Sequence, residues 1–224
     1  MSSVQIYHRN DNGEENHIAN IDGDLIKRHS PTVRNLIVTR SPATVYKITL
    51  SGPTSEALKF VVDEIERAHN NKMEDTLSIT LGYRGISQSV RIHRAILCMK
   101  LQPEQPRVAA HIKGYLAHNR VTATEMLAVY DAYANVGNPH GNILNTMVNT
   151  IAWKFVEGEL SAEQINQLKA ASMLRPHLDG LLTVKVKELE EAKRVREIIA
   201  KKRAVKKAKR AAAAAAKEVA DHGW

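Results

Sequence analysis

Apolar and polar positions alternate with a period of two in short runs within the first 81 residues. After that they follow a helical period almost to the end of the chain. Val4-Gln5-Ile6-Tyr7-His8 alternates and is read as an edge strand, and His17-Ile18-Ala19-Asn20-Ile21 alternates again. The link between them contains Asn10-Asp11-Asn12-Gly13, residue types that tolerate positive φ, so the pair is read as a hairpin. Val45–Leu50 is the clearest strand pattern, and Leu77–Leu81 is expected to be another.

Helical patterns surround these runs. Asp24–His29 is a short helical turn, and Ser30-Pro31 restarts a helix, with Ser30 as cap and Pro31 where a missing N–H costs nothing. Pro53-Thr54-Ser55-Glu56 opens an amphipathic helix with the stripe Ala57, Leu58, Val61, Val62 and Ile65. From Ser87 the pattern is almost wholly helical. Val90, Ile92, Ile96, Leu97, Met99 and Leu101 wrap widely round one helix, and Val108, Ile112, Tyr115 and Leu116 mark the next. Thr122-Ala123-Thr124-Glu125 and Ser161-Ala162-Glu163-Gln164 are capping boxes, each opening a further helix. Gly137-Asn138-Pro139 ends the first of these, Ile143 to Phe155 carries another apolar stripe, and Pro176 starts the last helix. Mixed strands and helices followed by helices alone predict an α+β fold with an all-α extension.

Composition narrows the chemistry. The 224 residues are 43% hydrophobic but only 4% aromatic, so aliphatic side chains must build the core. Cys98 is the one cysteine, which excludes an internal disulfide; it is read as a buried thiol on the apolar helix Ile96–Met99. Met1-Ser2-Ser3-Val4 has no basic region leading into an apolar stretch, and no run approaches the roughly 20 apolar residues of a membrane helix. A soluble protein of a reducing compartment, with no membrane partner, is the expectation.

The formal net charge of +8 is unevenly spread. Between Lys193 and Arg210 ten basic residues face the single acid Glu197, a net +9, while 211–224 carry −1 and 1–192 are neutral. The excess charge therefore belongs to the tail, and an overall basic isoelectric point says little about the body.

No local motif supplies catalysis or a cofactor site. Gly82-Tyr83-Arg84-Gly85 lacks the glycines and the Lys-Ser/Thr of a phosphate loop. His111 and His118 lie seven apart on one helix without a third ligand, and the other histidines are scattered; all are read as surface or capping residues. The carboxylates of Asp63-Glu64-Ile65-Glu66 and Glu188-Leu189-Glu190-Glu191 read as solvated helix faces. No catalytic residue, metal or cofactor is expected; an enzyme with catalytic residues far apart in sequence is the least favoured class.

The segment from Asp24 to Leu36, helix then His29-Ser30-Pro31 then helix, resembles the signature of BTB/POZ domains. The strand Tyr46–Leu50 and the helix Ser55–Glu66 follow in that family's order. Val90–Ala95 and Asn149–Leu160 are similar to BTB-like proteins of filamentous fungi, in which a helical half follows the core. The resemblance spans roughly residues 18–182. It implies a cluster of helices capped by a small sheet, and homo- or hetero-association or adaptor work without catalysis. It departs from cullin-binding members at Ile37-Val38-Thr39-Arg40-Ser41-Pro42, where Arg40 stands in place of an acid, so a cullin scaffold is not the expected partner. The divisions expected are a BTB/POZ-like domain over 1–100, a helical extension over 101–182 and a basic tail over 183–224. Residues 1–182 are expected to self-associate as a homodimer, with Val4–His8 available for strand addition.

Val184 to Asp221 contains no Pro or Gly and is rich in Ala, Lys, Arg and Glu, a composition that favours a long helix with coiled-coil character. Leu182, Val186, Leu189 and Ile199 form a thin apolar stripe that fades, after which charge covers all faces. Lys201, Lys202, Arg203, Lys206, Lys207, Lys209 and Arg210 are the candidate site residues, for nuclear localisation or for nucleic-acid phosphates. No aromatic residue interleaves them, so base stacking is not expected. The alternatives are an interaction module located in the nucleus or the cytoplasm, a nucleic-acid-associated protein acting through its tail, and a tail that only aids solubility.

Overall fold

The computed structural model describes residues 2–38, 45–52, 54–73, 77–135 and 141–221. It is α+β: a small mixed sheet and a majority of helix. The chain divides into two compact units, 1–147 and 148–224.

In the first unit Ser3–Arg9 (β1) and Glu15–Asp22 (β2) form the expected hairpin, and Val45–Ser51 (β3) runs parallel to β1. Asn10 closes the hairpin: its Oδ1 accepts from the N–H of Asn12 at 3.1 Å and of Glu14 at 2.9 Å, and Gly13 takes φ +84°. The sheet order is β2-β1-β3, so β1 is the central strand. This corrects the edge-strand expectation for Val4–His8. The backbone of β1 is paired on both sides, and a strand cannot be added to it. Period-two burial of Val4, Ile6 and His8 gives β1 its core face.

Gly23–His29 (α1) follows β2 directly. Asp22 caps it, accepting from Asp24 N and Leu25 N at 2.9 Å each; these bonds, that to Leu25 first, hold its carboxyl below the ordinary range. Gly23 is needed for close approach. Its N–H donates to Ser2 O at 2.7 Å, and a Cβ there would lie 2.7 Å from the same oxygen. Pro31–Val38 (α2), Ser55–Asn70 (α3), Ile86–Met99 (α4), Pro106–His118 (α5) and Ala123–Tyr133 (α6) follow in this unit. The stripe expected on α3, Ala57 through Ile65, is buried, and the Thr122–Glu125 box caps α6. Arg40 and Gly137–Pro139 lie outside the described residues.

Leu77–Leu81 is not a strand, which corrects that expectation. Its apolar residues are buried, so the alternation was real. The backbone partner is a side chain: Gln105 accepts from Ile79 N at 2.8 Å and donates to Leu77 O at 2.9 Å and Pro103 O at 2.8 Å. One buried amide replaces a ladder.

The second unit contains the end of Gly141–Val156 (α7), then Ala162–Met173 (α8) and Pro176–Asp221 (α9). The Ser161–Gln164 capping box forms as expected. Ile151, Ala152, Leu168, Ala171 and Leu178 make the core, and Ser172 Oγ donates to Asp179 Oδ1 at 2.7 Å, tying α8 to the start of α9. Among the described residues no helix is long and apolar enough to cross a membrane.

Candidate functional site

The element that carries the candidate residues is α9. It runs unbroken for 46 residues, about 69 Å at 1.5 Å per residue. At 100° per residue, Leu182, Val186, Leu189 and Lys193 fall within about 60° of one another. They are the half-buried side and face the rest of their own unit. Lys193 Nζ donates to Val156 O, the last carbonyl of α7, at 2.8 Å, and lies 3.4 Å from Glu157. A cation at an unsatisfied helix C-terminus is favourable for both dipole and hydrogen-bond reasons. Arg196 reaches the same carboxylate at 3.3 Å, and Arg194 lies 3.9 Å from Glu191. The first cations of the basic run are thus spent inside the unit.

Lys201, Lys202, Arg203, Lys206, Lys207, Lys209 and Arg210 are all exposed, and among the described residues none of them forms an ion pair. Charge does not cover all faces of the helix, contrary to the expectation from the sequence. Lys202, Arg203, Lys206, Lys209 and Arg210 fall in a sector of about 120°, with Lys201 and Lys207 to either side. Ala200, Ala204 and Ala208 occupy the opposite side. The run of about 14 Å from Lys201 to Arg210 therefore presents one cationic face.

Ile199 is a further correction. It does not continue the stripe of Leu182, Val186 and Leu189 but lies about 80–140° from them, on the outward side with Val184, Val195 and Ile198. Val195, Ile198, Ile199 and Val205 are 45%, 52%, 43% and 56% exposed. Grouping Ile199 with the inner stripe hid this second apolar row. A helical wheel drawn from Lys193 separates the two.

The first unit places the remaining candidates in structural roles. Three histidines are buried, against the surface expectation. His8 Nδ1 lies 3.0 Å from Ser55 Oγ, His93 Nδ1 lies 2.7 Å from Tyr133 Oη, and His29 Nδ1 lies 2.8 Å from Gln102 O with its Nε2 buried and unpartnered. Each sits on the apolar phase of its element, where a hydrogen bond across to another element offsets burial. His111 and His118 are exposed on α5. Among the described residues no three His, Cys, Asp or Glu side chains are arranged to hold a metal. Cys98 is half-buried rather than fully buried; its Sγ donates to Ser51 O at 3.5 Å, and burial pushes the thiol up, which disfavours a nucleophilic thiolate. The carboxylates of Asp63 and Glu64 pair within α3 with Lys59 and Arg67, at 3.4 and 2.6 Å.

Compared with known proteins, the chain matches no family model, no curated protein and no solved structure.

Proposed function

We propose that the chain is a non-enzymatic protein–protein interaction module of BTB/POZ type, whose α9 is the arm that reaches a partner. The carrying observation is that α9 is tied to its own unit as far as Arg196, whereas its outward aliphatic and cationic side chains from Val195 to Arg210 are exposed. Exposed aliphatics grouped on one helix face and rimmed by charge are characteristic of interaction surfaces. The arrangement of unit 1 supports the family part of the reading. A short helix, the His29-Ser30-Pro31 turn, a second helix, a strand and a long helix follow in the order the resemblance implies. The test is affinity capture on the full chain and on a chain ending at Ala200, each with and without nuclease. The expected result is identified protein partners that survive nuclease and are lost with the tail. Capture of nucleic acid alone, or partners all lost to nuclease, refutes the reading.

A specific observation favours a second reading. The cationic face of Lys202, Arg203, Lys206, Lys209 and Arg210 is suited to a row of phosphates, and such contacts need no aromatic residue. Nuclear location follows from the same cluster. A fluorescent fusion that accumulates in the nucleus with the tail, and not without it, supports that placement; equal distribution refutes it. Self-association of the globular part is a further element of the proposal. Since β1 is interior, it must use another surface, and a strictly monomeric mass by light scattering at micromolar concentration removes it.

A further inference from the structure

Phosphate binding leaves one feature of α9 unexplained. Val195, Ile198 and Ile199 stand at i, i+3 and i+4, and Lys202, Lys206 and Lys209 extend the same side at i+7, i+11 and i+14. Val205 lies at its margin, seven residues from Ile198 and about 10.5 Å along the axis. Val and Ile are poorer helix formers than the Ala, Lys and Arg around them, so these four do not serve helix formation. They do not serve the core either, being roughly half exposed on the side away from Leu182, Val186 and Leu189. A phosphate backbone offers them no apolar counterpart.

We propose that residues 195–210 dock as a helix into an acidic protein groove with an apolar floor. This rests on the reading of the chain as a protein–protein interaction module and names the chemistry of the partner. The i, i+3, i+4 aliphatics are the anchors that a helix lays into such a groove. Lys202, Arg203, Lys206, Lys209 and Arg210 pair with its acidic rim, and the absence of acids from 198 to 210 excludes a basic groove by repulsion. Charge complementarity thus selects an acidic partner, and the aliphatic row selects a grooved one. A lipid surface suits the face less well: it holds no Trp, Phe or Leu between 193 and 210, and its apolar part is confined to one end.

The experiment uses the full chain with three probes: calcium-loaded calmodulin as a soluble acidic groove with an apolar floor, a short DNA duplex, and vesicles of phosphatidylcholine with phosphatidylserine. Two variants are compared: I198S with I199S, and K206A with K209A and R210A. Helix content by circular dichroism confirms that α9 persists in each. The expected result is binding to calmodulin that weakens at least about 30-fold in the serine variant, as for loss of central anchors, while duplex binding is unchanged by the serines. No binding to calmodulin, or equal binding by the serine variant, overturns the proposal. Vesicle binding that depends on the serine positions, without calmodulin binding, overturns it in favour of a lipid surface. If the full chain captures proteins equally well with the serine pair in place, the interaction reading stands and this inference falls.

Discussion

Ser30 Oγ donates a 2.8 Å hydrogen bond to the carbonyl of Met99, 69 residues further along the chain. The same oxygen accepts from Val33 N at 3.2 Å and so caps α2. Thr32 Oγ1 donates to Cys98 O at 3.2 Å, and Gln102 N donates to His29 O at 2.8 Å. Ser30 and Thr32 therefore satisfy the last carbonyls of α4, Met99 O and Cys98 O, which no residue within that helix can reach. The most recognisable stretch of sequence is a structural lock between elements distant in the chain.

Replacing Ser30 by Ala removes a cap and leaves a fully buried carbonyl unpaired. The expected loss is about 2–4 kcal/mol, taking roughly 1 for the cap and 1–3 for the orphaned group. A chemical-denaturation midpoint lowered at unchanged m-value is the readout; a shift within error removes the lock from the fold's essential contacts.

Tyr133 and His93 make a second buried pair, 2.7 Å apart, and burial pushes the Tyr133 phenol well above its ordinary range. Tyr133→Phe keeps the ring and removes the hydroxyl, leaving Nδ1 of His93 without that partner. A destabilisation of about 1–3 kcal/mol is expected in thermal or denaturant unfolding. A neutral result shows that another group takes over the imidazole.

On the outer face of the sheet Glu15 lies 2.6 Å from Lys47 and 2.7 Å from Arg9. Hydrogen bonding to Lys47, then to Arg9, lowers its carboxyl from 4.5 to about 2. A folded-state value below the unfolded one means that the contribution is complete above about 4.5 and is lost as pH falls toward 2. Carboxyl NMR titration of the native protein is expected to give a midpoint near 2, moving back toward 4.5 in Lys47→Ala. Unaltered titration in that variant contradicts the assignment of cause.

Much of the fold was legible because local rules decided it. Thr122 and Glu125, Ser161 and Gln164, and the stripe Ala57 to Ile65 each act within one helix, so spacing alone identified them. The failures share a cause: the deciding partner is remote in sequence. Leu77–Leu81 alternates like a strand, but the side chain of Gln105, 26 residues from Ile79, takes the place of a neighbour. The placement of Val4–His8 in the sheet depended on which strands flank it, and β3 arrives from beyond two helices. On α9 the cations were plain from composition, yet Glu157, 39 residues before Arg196, decides which of them are already engaged.

That partition gives the phosphate reading a sharp form. Lys193, Arg194 and Arg196 are paired within their unit, so a polyanion meets the run from Lys201 onward. A flat row of phosphates can touch only one side of a straight helix, and that side presents Lys202, Arg203, Lys206, Lys209 and Arg210. Each neutralised duplex phosphate contributes about −0.9 to the slope of log K against log salt, so about five contacts give a slope near −4.5. Substituting Lys202, Lys206 and Lys209 by Ala is expected to reduce the slope by about 2.7. Substituting Lys201 and Lys207 removes two of the same charges from the flanks and is expected to leave it nearly unchanged. Ala is the best helix former, so neither variant weakens the helix itself. Fluorescence titrations of a duplex at several salt concentrations, with a chain ending at Ala200 as control, provide the slopes. Equal reductions per charge in the two variants show a diffuse ion atmosphere rather than a docked face, and binding that survives in the shortened chain removes α9 as the phosphate-binding element.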